Sequence, residues 1–160
     1  ILIGNHLTVS KKVGLETKTF PFWSSETKDF DFKGMYKTLE AADEGSIILL
    51  YPNSYNISGV EPSLAQWKEL ASLFLKKRFF AVFDCAAQGI VSGELQKDIK
   101  SIQIFLDQGI QVAICQSLAT CMGMYGEMIG ALHVVCKSKD IKNKVLEQLK
   151  YFLSILERFF

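Results

Sequence analysis

Four short apolar runs divide the chain at intervals typical of buried strands. They cover residues 46–51, 79–83, 110–115 and 129–135, and polar or turn-forming residues follow each of the first three. Continuous apolar runs of this length, without alternation, are typical of strands that are buried on both faces of a parallel sheet. The pattern therefore predicts four strands of a mainly parallel sheet that is covered on both faces.

Helix-period stretches lie before, between and after these runs. Residues 33–42, 62–77, 93–108 and 140–157 carry apolar side chains every three or four positions. Pro62 opens the second stretch and Gly109 follows the third, as expected at a helix start and a helix end. Alternating strands and helices indicate βαβ connections. We therefore expect an α/β fold with a three-layer α/β/α architecture, formed by residues 1–160 as one unit.

Ligands of such sheets bind beyond the carboxyl ends of the parallel strands. The segments at these ends are residues 53–59, 84–89 and 116–123. They contain Asn56, Asp84, Ser117 and Thr120. The pattern alone predicts a polar rim there and does not identify its ligand.

Composition and charge narrow the possible classes of protein. Hydrophobic residues make up 49% of the chain and charged residues 22%, which supports a buried core. The net charge of +1 argues against nucleic acid or an anionic membrane as a partner, and no apolar run reaches the roughly 20 residues of a membrane span. The four cysteines lack metal-ligand spacing, so we expect no metal site and a reducing compartment such as the cytoplasm.

Three segments of the predicted rim resemble motifs of the aspartate aminotransferase family, in the family's order. Residues 55–62 (YNISGVEP) resemble HNPTGVDP, residues 83–93 (FDCAAQGIVSG) resemble FDMAYQGFASG, and residues 116–128 (QSLATCMGMYGEM) resemble QSYAKNMGLYGER. The match covers nearly the whole chain and weakens after residue 149. The chain is thus similar to the central part of the large domain of the fold type I, pyridoxal-phosphate-dependent aminotransferases.

The resemblance implies a role for four residues of this chain. In the family, a lysine binds the cofactor as a Schiff base, and a carboxylate keeps the ring nitrogen protonated. Asp84 matches that carboxylate and His6 matches the residue that supports it. Asn56 matches a ligand of the ring hydroxyl and the substrate carboxylate, and Ser117 matches a phosphate-binding hydroxyl. Each also has a structural explanation, as a helix cap (Asp84, Ser117), a turn asparagine or an ordinary loop histidine.

Several positions depart from the family pattern. Thr120 stands at the position of the Schiff-base lysine, and a hydroxyl cannot replace an amine in that linkage. Met128 stands at a phosphate-binding arginine, Ala87 at a tyrosine that contacts the ring oxygen, Ile3 at a tryptophan that covers the ring, and Ile57 at a proline. These losses predict a chain without transaminase activity.

The main hypothesis is therefore a degenerate or partial aspartate aminotransferase. Its family transfers the amino group between L-aspartate and 2-oxoglutarate, uses small amino and oxo acids, and forms homodimers. We expect an N-terminal segment and a C-terminal small domain to be absent from this chain. A longer parent that retains transaminase activity, in the cytoplasm or in mitochondria, is one alternative. An α/β binding or structural module is another.

Overall fold

The computed structural model describes residues 4–53, 59–127 and 129–156. Helices and strands follow one another in these ranges in the order α1 (Gly4–Lys12), β1 (Trp23–Ser24), β2 (Asp29–Phe30), α2 (Phe32–Glu40), β3 (Ile47–Leu50), α3 (Leu64–Lys77), β4 (Phe80–Cys85), α4 (Leu95–Asp98), α5 (Lys100–Asp107), β5 (Val112–Ser117), β6 (Gly130–Val134) and α6 (Lys139–Leu156). Within the described residues, no helix is long and apolar enough to cross a membrane.

The four predicted strands form one sheet in the order β3-β4-β5-β6. Strands β3, β4 and β5 run parallel, with Leu50 opposite Phe83 and Phe83 opposite Ile114. Strand β6 runs antiparallel to β5. The α/β class and the mainly parallel sheet are therefore confirmed, with one reversed strand. The reversal follows from the connection, because the described residues between β5 and β6 form no crossover helix of the kind that a parallel neighbour requires.

The core lies on one face of the sheet, between β4 and the helices α3 and α5. Alternate residues of β4 point to this face, where Ala81, Phe83 and Cys85 are fully buried. The ring of Phe105 from α5 makes edge-to-face contacts with Phe83 and with Trp67 of α3, at centroid distances of 5.1 and 6.1 Å. Aromatic pairs of this geometry contribute beyond the apolar area they bury. This cluster fixes the distance of the two helices from the sheet.

Helix boundaries differ from the prediction where side chains bind the backbone. Helix α3 begins at Leu64, two residues after Pro62, because Ser63 and Gln66 form a capping box around its first turn. The predicted helix over residues 93–108 is two helices that meet at Ile99. Next to this break, the Asp98 carbonyl accepts from Asn53 and its carboxylate accepts from the Gly89 backbone N–H. Helix α1 and the β1–β2 hairpin were not predicted.

The prediction that both faces of the sheet are buried is wrong for β6. Leu132 in the middle of this strand is 51% exposed. Helix α6 follows β6, but its own apolar side chains Tyr151 and Phe152 are each 61% exposed instead of packing on the strand. A continuous apolar run is therefore a sign of strand formation here and not of burial.

Removal of the Phe105 ring tests the core assignment. We expect Phe105→Ala to lower the free energy of unfolding by about 3–5 kcal/mol, because a fully buried ring leaves a cavity between three other rings. Denaturant titration followed by circular dichroism measures the change. The matched control is Phe152→Ala on α6, where we expect a change within about 0.5 kcal/mol. Equal effects of the two substitutions would contradict the assignment.

The exposed edge of β3 predicts self-association of the isolated chain. Ile47 is 58% exposed on β3, which is an outer strand of the sheet in the part of the chain described. A charged residue on such an edge opposes strand pairing between molecules. We expect Ile47→Lys to reduce self-association, so that its average molecular mass in sedimentation experiments is lower than that of the unaltered chain. The control Leu75→Lys places the same charge at a 49% exposed position on a helix. An equal fall in mass for both variants, or a monodisperse unaltered chain, would refute the edge explanation.

Candidate functional site

The carboxyl ends of β3, β4 and β5 meet at one edge of the sheet. Asp84 and Cys85 are the last residues of β4, and Gln116 and Ser117 are the last residues of β5. Asp84 lies opposite Cys115 in the parallel register. Because side chains alternate along a strand, Asp84 points away from the core face that buries Cys85. The predicted rim is therefore present, with Asp84 on the less covered face.

A histidine from the first helix contacts this carboxylate. Nε2 of His6 lies 3.4 Å from Oδ2 of Asp84, and Nδ1 lies 3.3 Å from Oη of Tyr51, the residue after β3. The side chains of His6 and Asp84 are 32% and 23% exposed. Three segments that are distant in sequence thus supply one chain of polar contacts. Sequence reasoning placed Asp84 and His6 together through the resemblance but missed Tyr51.

The carboxylate of Asp84 is incompletely paired. Burial raises its pKa above the ordinary value, and the charge of His6 lowers it by a smaller amount. Within the described ranges, Oδ1 of Asp84 has no hydrogen-bond partner. Burial also raises the pKa of the neighbouring Cys115 thiol, and the charge of Asp84 adds to this effect. The site therefore presents a partly desolvated acceptor oxygen to any cationic donor that reaches it.

The structural explanations of Asp84 and Ser117 as helix caps do not apply. Helix α4, which follows β4, begins at Leu95 after Glu94 and has no side-chain cap. Ser117 ends β5, and the chain then enters a turn, not a helix. The Ser117 backbone carbonyl is 3.5 Å from Sγ of Cys121. Both residues are thus at strand ends where side chains are available for other contacts.

Thr120 lies in the turn that leaves β5. Its backbone carbonyl accepts from the Gly123 N–H, and the turn is closed by bonds from Met122 to Leu118 and from Met124 to Ala119. In the part of the chain that the structure describes, the Thr120 hydroxyl makes no hydrogen bond. No lysine occurs in residues 118–129. The turn therefore contains no amine at the position where the resemblance expects one.

Of the five remaining positions that the resemblance singled out, the structure describes only Ala87. Ala87 lies in the turn after β4, where its carbonyl accepts from the Ile90 N–H, and its methyl group cannot donate to a ligand. Asn56, Met128, Ile3 and Ile57 lie outside the described residues.

A second polar chain follows the core face of the same strand ends. Gln116 Nε2 donates to Gln88 Oε1 at 2.8 Å, and its Oε1 is 3.2 Å from Nε2 of His133 on β6. The buried Cys85 thiol lies 3.4 Å from Asn53 Oδ1, and burial raises the pKa of Cys85 to about 11. These residues were missed because none shows a motif, and their contacts join positions far apart in sequence. Their contacts connect the chain after β3 and after β4 with strands β5 and β6, on the face of the sheet opposite Asp84.

Together these features define an α/β domain whose candidate site lies at the carboxyl ends of parallel strands, around a carboxylate–histidine pair. Comparison with known families makes the assignment specific. The sequence model of the family "Aminotransferase class I and II" matches residues 4–156. The chain belongs to this family.

Individual relatives agree with this assignment. The cytoplasmic aspartate aminotransferase of Schizosaccharomyces pombe is 39% identical over 144 residues, which cover 90% of this chain and 35% of that protein. The broad specificity aminotransferase from Leishmania mexicana superposes with a TM-score of 0.87 at 37% identity, covering 91% of this chain and 36% of the other. An aromatic-amino-acid aminotransferase from Burkholderia pseudomallei, solved covalently bound to pyridoxal phosphate, superposes with a TM-score of 0.88 at 29% identity. The match covers 93% of this chain and 37% of the other. The chain spans about a third of the length of these relatives.

The raised pKa of Asp84 predicts a pH-dependent gain in stability on substitution. A carboxyl whose pKa is raised on folding favours the folded state while it is protonated, and this contribution is lost as the pH rises through the folded pKa. Asn cannot ionise and has nearly the same shape as Asp. We therefore expect Asp84→Asn to unfold at higher denaturant concentration than the unaltered chain at pH 7. The gain should vanish as the pH falls below the ordinary carboxyl value of 3.8.

Asp43→Asn is the control for this experiment, because the Asp43 side chain is 90% exposed. We expect its stability to stay within about 0.5 kcal/mol of the unaltered chain at either pH. A gain for Asp84→Asn that persists unchanged at acid pH would show that the carboxylate is not strained by burial.

Proposed function

We propose that this chain is an aspartate aminotransferase-like chain that binds pyridoxal phosphate without covalent attachment and does not catalyse amino-group transfer. One observation carries the proposal: Asp84 and His6, which the resemblance expects at the ring nitrogen, lie 3.4 Å apart, while Thr120 occupies the turn where the amine is expected. The 39% identity to an aspartate aminotransferase supports the aspartate subgroup.

The described residues fit one part of the cofactor. A protonated ring nitrogen is a cationic N–H donor, and such a donor would complete the open side of the Asp84 carboxylate and offset its cost of burial. Ser117, at the end of the neighbouring strand β5, would offer its hydroxyl to the phosphate group. When bound, pyridoxal phosphate supplies a ring that accepts electrons from a carbanion. In this proposal the Asp84 carboxylate holds its negative charge next to the ring nitrogen, and His6 holds the carboxylate in place.

The same residues do not fit covalent attachment. The Thr120 hydroxyl cannot make the carbon–nitrogen double bond that an amine makes, and it cannot move the α-proton as an amine base does at neutral pH. Ala87 offers no hydroxyl to the ring oxygen. Binding is therefore proposed to rest on the ring nitrogen and the phosphate, and no proton transfer is assigned to Thr120.

The proposal extends to the setting of the whole protein. A cytoplasmic location is supported by the similarity to the cytoplasmic aspartate aminotransferase of Schizosaccharomyces pombe. A place in the large domain of a longer chain is supported by the coverage of about a third of each relative. Homodimer formation, and L-aspartate and 2-oxoglutarate as substrates of an active parent, are proposed from the family resemblance alone.

Borohydride reduction in the presence of pyridoxal phosphate tests the loss of covalent attachment. We expect the unaltered chain to give no stoichiometric adduct in peptide mapping. The double variant Thr120→Lys with Met128→Arg restores an amine and a phosphate-binding guanidinium, and should give an adduct at position 120. The matched control Thr27→Lys places a lysine on the exposed β1–β2 hairpin and should not. A stoichiometric adduct at one native lysine would favour the alternative of a parent that retains transaminase chemistry.

Binding of pyridoxamine phosphate tests the non-covalent part, because this form of the cofactor has no aldehyde. We expect saturable binding by calorimetry to the unaltered chain and a loss of at least about tenfold in affinity for Asp84→Asn, since a charge-assisted hydrogen bond contributes about 1.5–3 kcal/mol. No binding to the unaltered chain, or equal binding to both, would overturn this part and favour a structural module.

A further inference from the structure

Two of the four cysteines lie where the carboxyl ends of β4 and β5 meet. Cys85 is the last residue of β4, and its fully buried thiol is 3.4 Å from Asn53 Oδ1 on the core face. Cys121 lies in the turn that leaves β5. Its Sγ is 3.8 Å from the carbonyl oxygen of Ala86, the residue after Cys85, and 3.5 Å from that of Ser117. The Cys121 side chain therefore contacts the backbone next to Cys85, although Ala86 and Cys121 are 35 residues apart in sequence.

The ionisation of the Cys85 thiol reflects the same proximity. Burial is the main cause that raises the pKa of Cys85 to about 11, and the charge of Cys121 is the next largest cause. Its contribution exceeds that of Asp84, which precedes Cys85 in the sequence. A neighbouring charge has such an effect only at short distance. Because the thiolate is the reactive form of cysteine, Cys85 is unreactive on its own at neutral pH.

The sheet separates the other two cysteines from this pair. Cys115 lies opposite Asp84 in the parallel register, so its side chain is on the sheet face away from the core. Cys136 follows β6 at the other end of the sheet, where the residue before it donates to the Val112 carbonyl at the start of β5. All four thiols are free. Cys121 is therefore the partner that the fold places beside the buried thiol.

We propose that Cys85 and Cys121 are a modification site at which hydrogen peroxide forms a disulfide within the chain. The partly exposed Cys121 reacts first. Its sulfur attacks one peroxide oxygen, the O–O bond breaks, and the products are a sulfenic acid and water. The sulfur of Cys85 then attacks that of Cys121, the S–O bond breaks, and the hydroxyl leaves with the Cys85 thiol proton as a second water. The two sulfurs lose two electrons in total, which the peroxide gains.

The pair adjoins the candidate functional site without belonging to it. The family motifs that the chain resembles have Met at position 85 and Asn at position 121. The disulfide would join the turn that contains Thr120 to the end of β4, directly after Asp84. No step of its formation needs a bound cofactor, so the inference is independent of the proposed function. In a reducing compartment the link would be transient, because cellular thiols reverse it.

Oxidation of the whole chain with hydrogen peroxide, followed by peptide mapping without reductant, tests the proposal. We expect the four free thiols to fall by the two that pair, and dithiothreitol to restore them. The linked peptide should contain Cys85 and Cys121. Unlabelled and ¹⁵N-labelled chains are mixed before oxidation, because links between molecules then carry mixed labels. The chain unfolded in denaturant is the control and should give a mixture of pairings.

Single substitutions test the order of the two steps. In Cys85→Ser we expect no disulfide and a sulfenic acid at Cys121, which dimedone traps. In Cys121→Ser we expect Cys85 to stay reduced, because its thiol is buried and protonated. The matched control Cys115→Ser should give the same linked peptide as the unaltered chain, in equal yield. A dimedone adduct at Cys85 in a folded Cys121→Ser variant would contradict the order of the steps.

Three results would overturn the proposal as a whole. The first is the absence of a Cys85–Cys121 peptide from the folded, unaltered chain, which is decisive whether or not Cys85→Ser folds. The second is mixed labelling of that peptide, which would show a link between molecules. The third is an equal yield of that peptide from folded and denatured chains, which would show that the fold does not select this pair.

Discussion

The pleat of strand β4 links the stability of this domain to its candidate site. Side chains alternate between the two faces of a strand, so the register that buries Phe83 and Cys85 against the helices also places Asp84 on the opposite face. A slip of one residue would bury a carboxylate among aromatic rings and expose Phe83. The packing of Phe83 against Trp67 and Phe105 opposes such a slip. The position of Asp84 is therefore set by the core and not by any ligand.

Asp84 carries a cost that the rest of the site only partly offsets. Its side chain is partly withdrawn from water, and burial raises its pKa. Among the described residues, His6 contacts its carboxylate through Oδ2. His6 in turn arrives on α1, far from the sheet in sequence, and is held by Tyr51. A partly paired carboxylate of this kind is characteristic of sites where function and stability compete. Its presence in a chain that has Thr120 in the turn after β5 is the reason to propose ligand binding without the family's covalent step.

The fold accommodates a threonine at position 120 for a simple physical reason. The turn that contains Thr120 is closed by backbone hydrogen bonds, from Leu118 to Ile129, from Met122 to Leu118 and from Met124 to Ala119. None of these bonds uses the side chain at position 120. Core packing is likewise concentrated on the other side of β4, around Phe83 and Phe105. Chemistry and architecture are therefore separable here, as expected for a function located in a site on a widely used fold.

The sequence by itself determined the α/β class, the four strands of the main sheet, most helices and, through its motifs, the family. These are local properties, since apolar runs, helical periodicity and motif order are visible along the chain. Only the tertiary structure decided the antiparallel direction of β6, the exposure of Leu132 and the break of the predicted helix at Ile99. It also decided the contact of His6 with Tyr51, which spans 45 residues. Strand direction depends on the path of a connection, burial depends on what packs opposite, and a hydrogen bond between distant residues depends on both, so none of the three can be calculated from a local pattern.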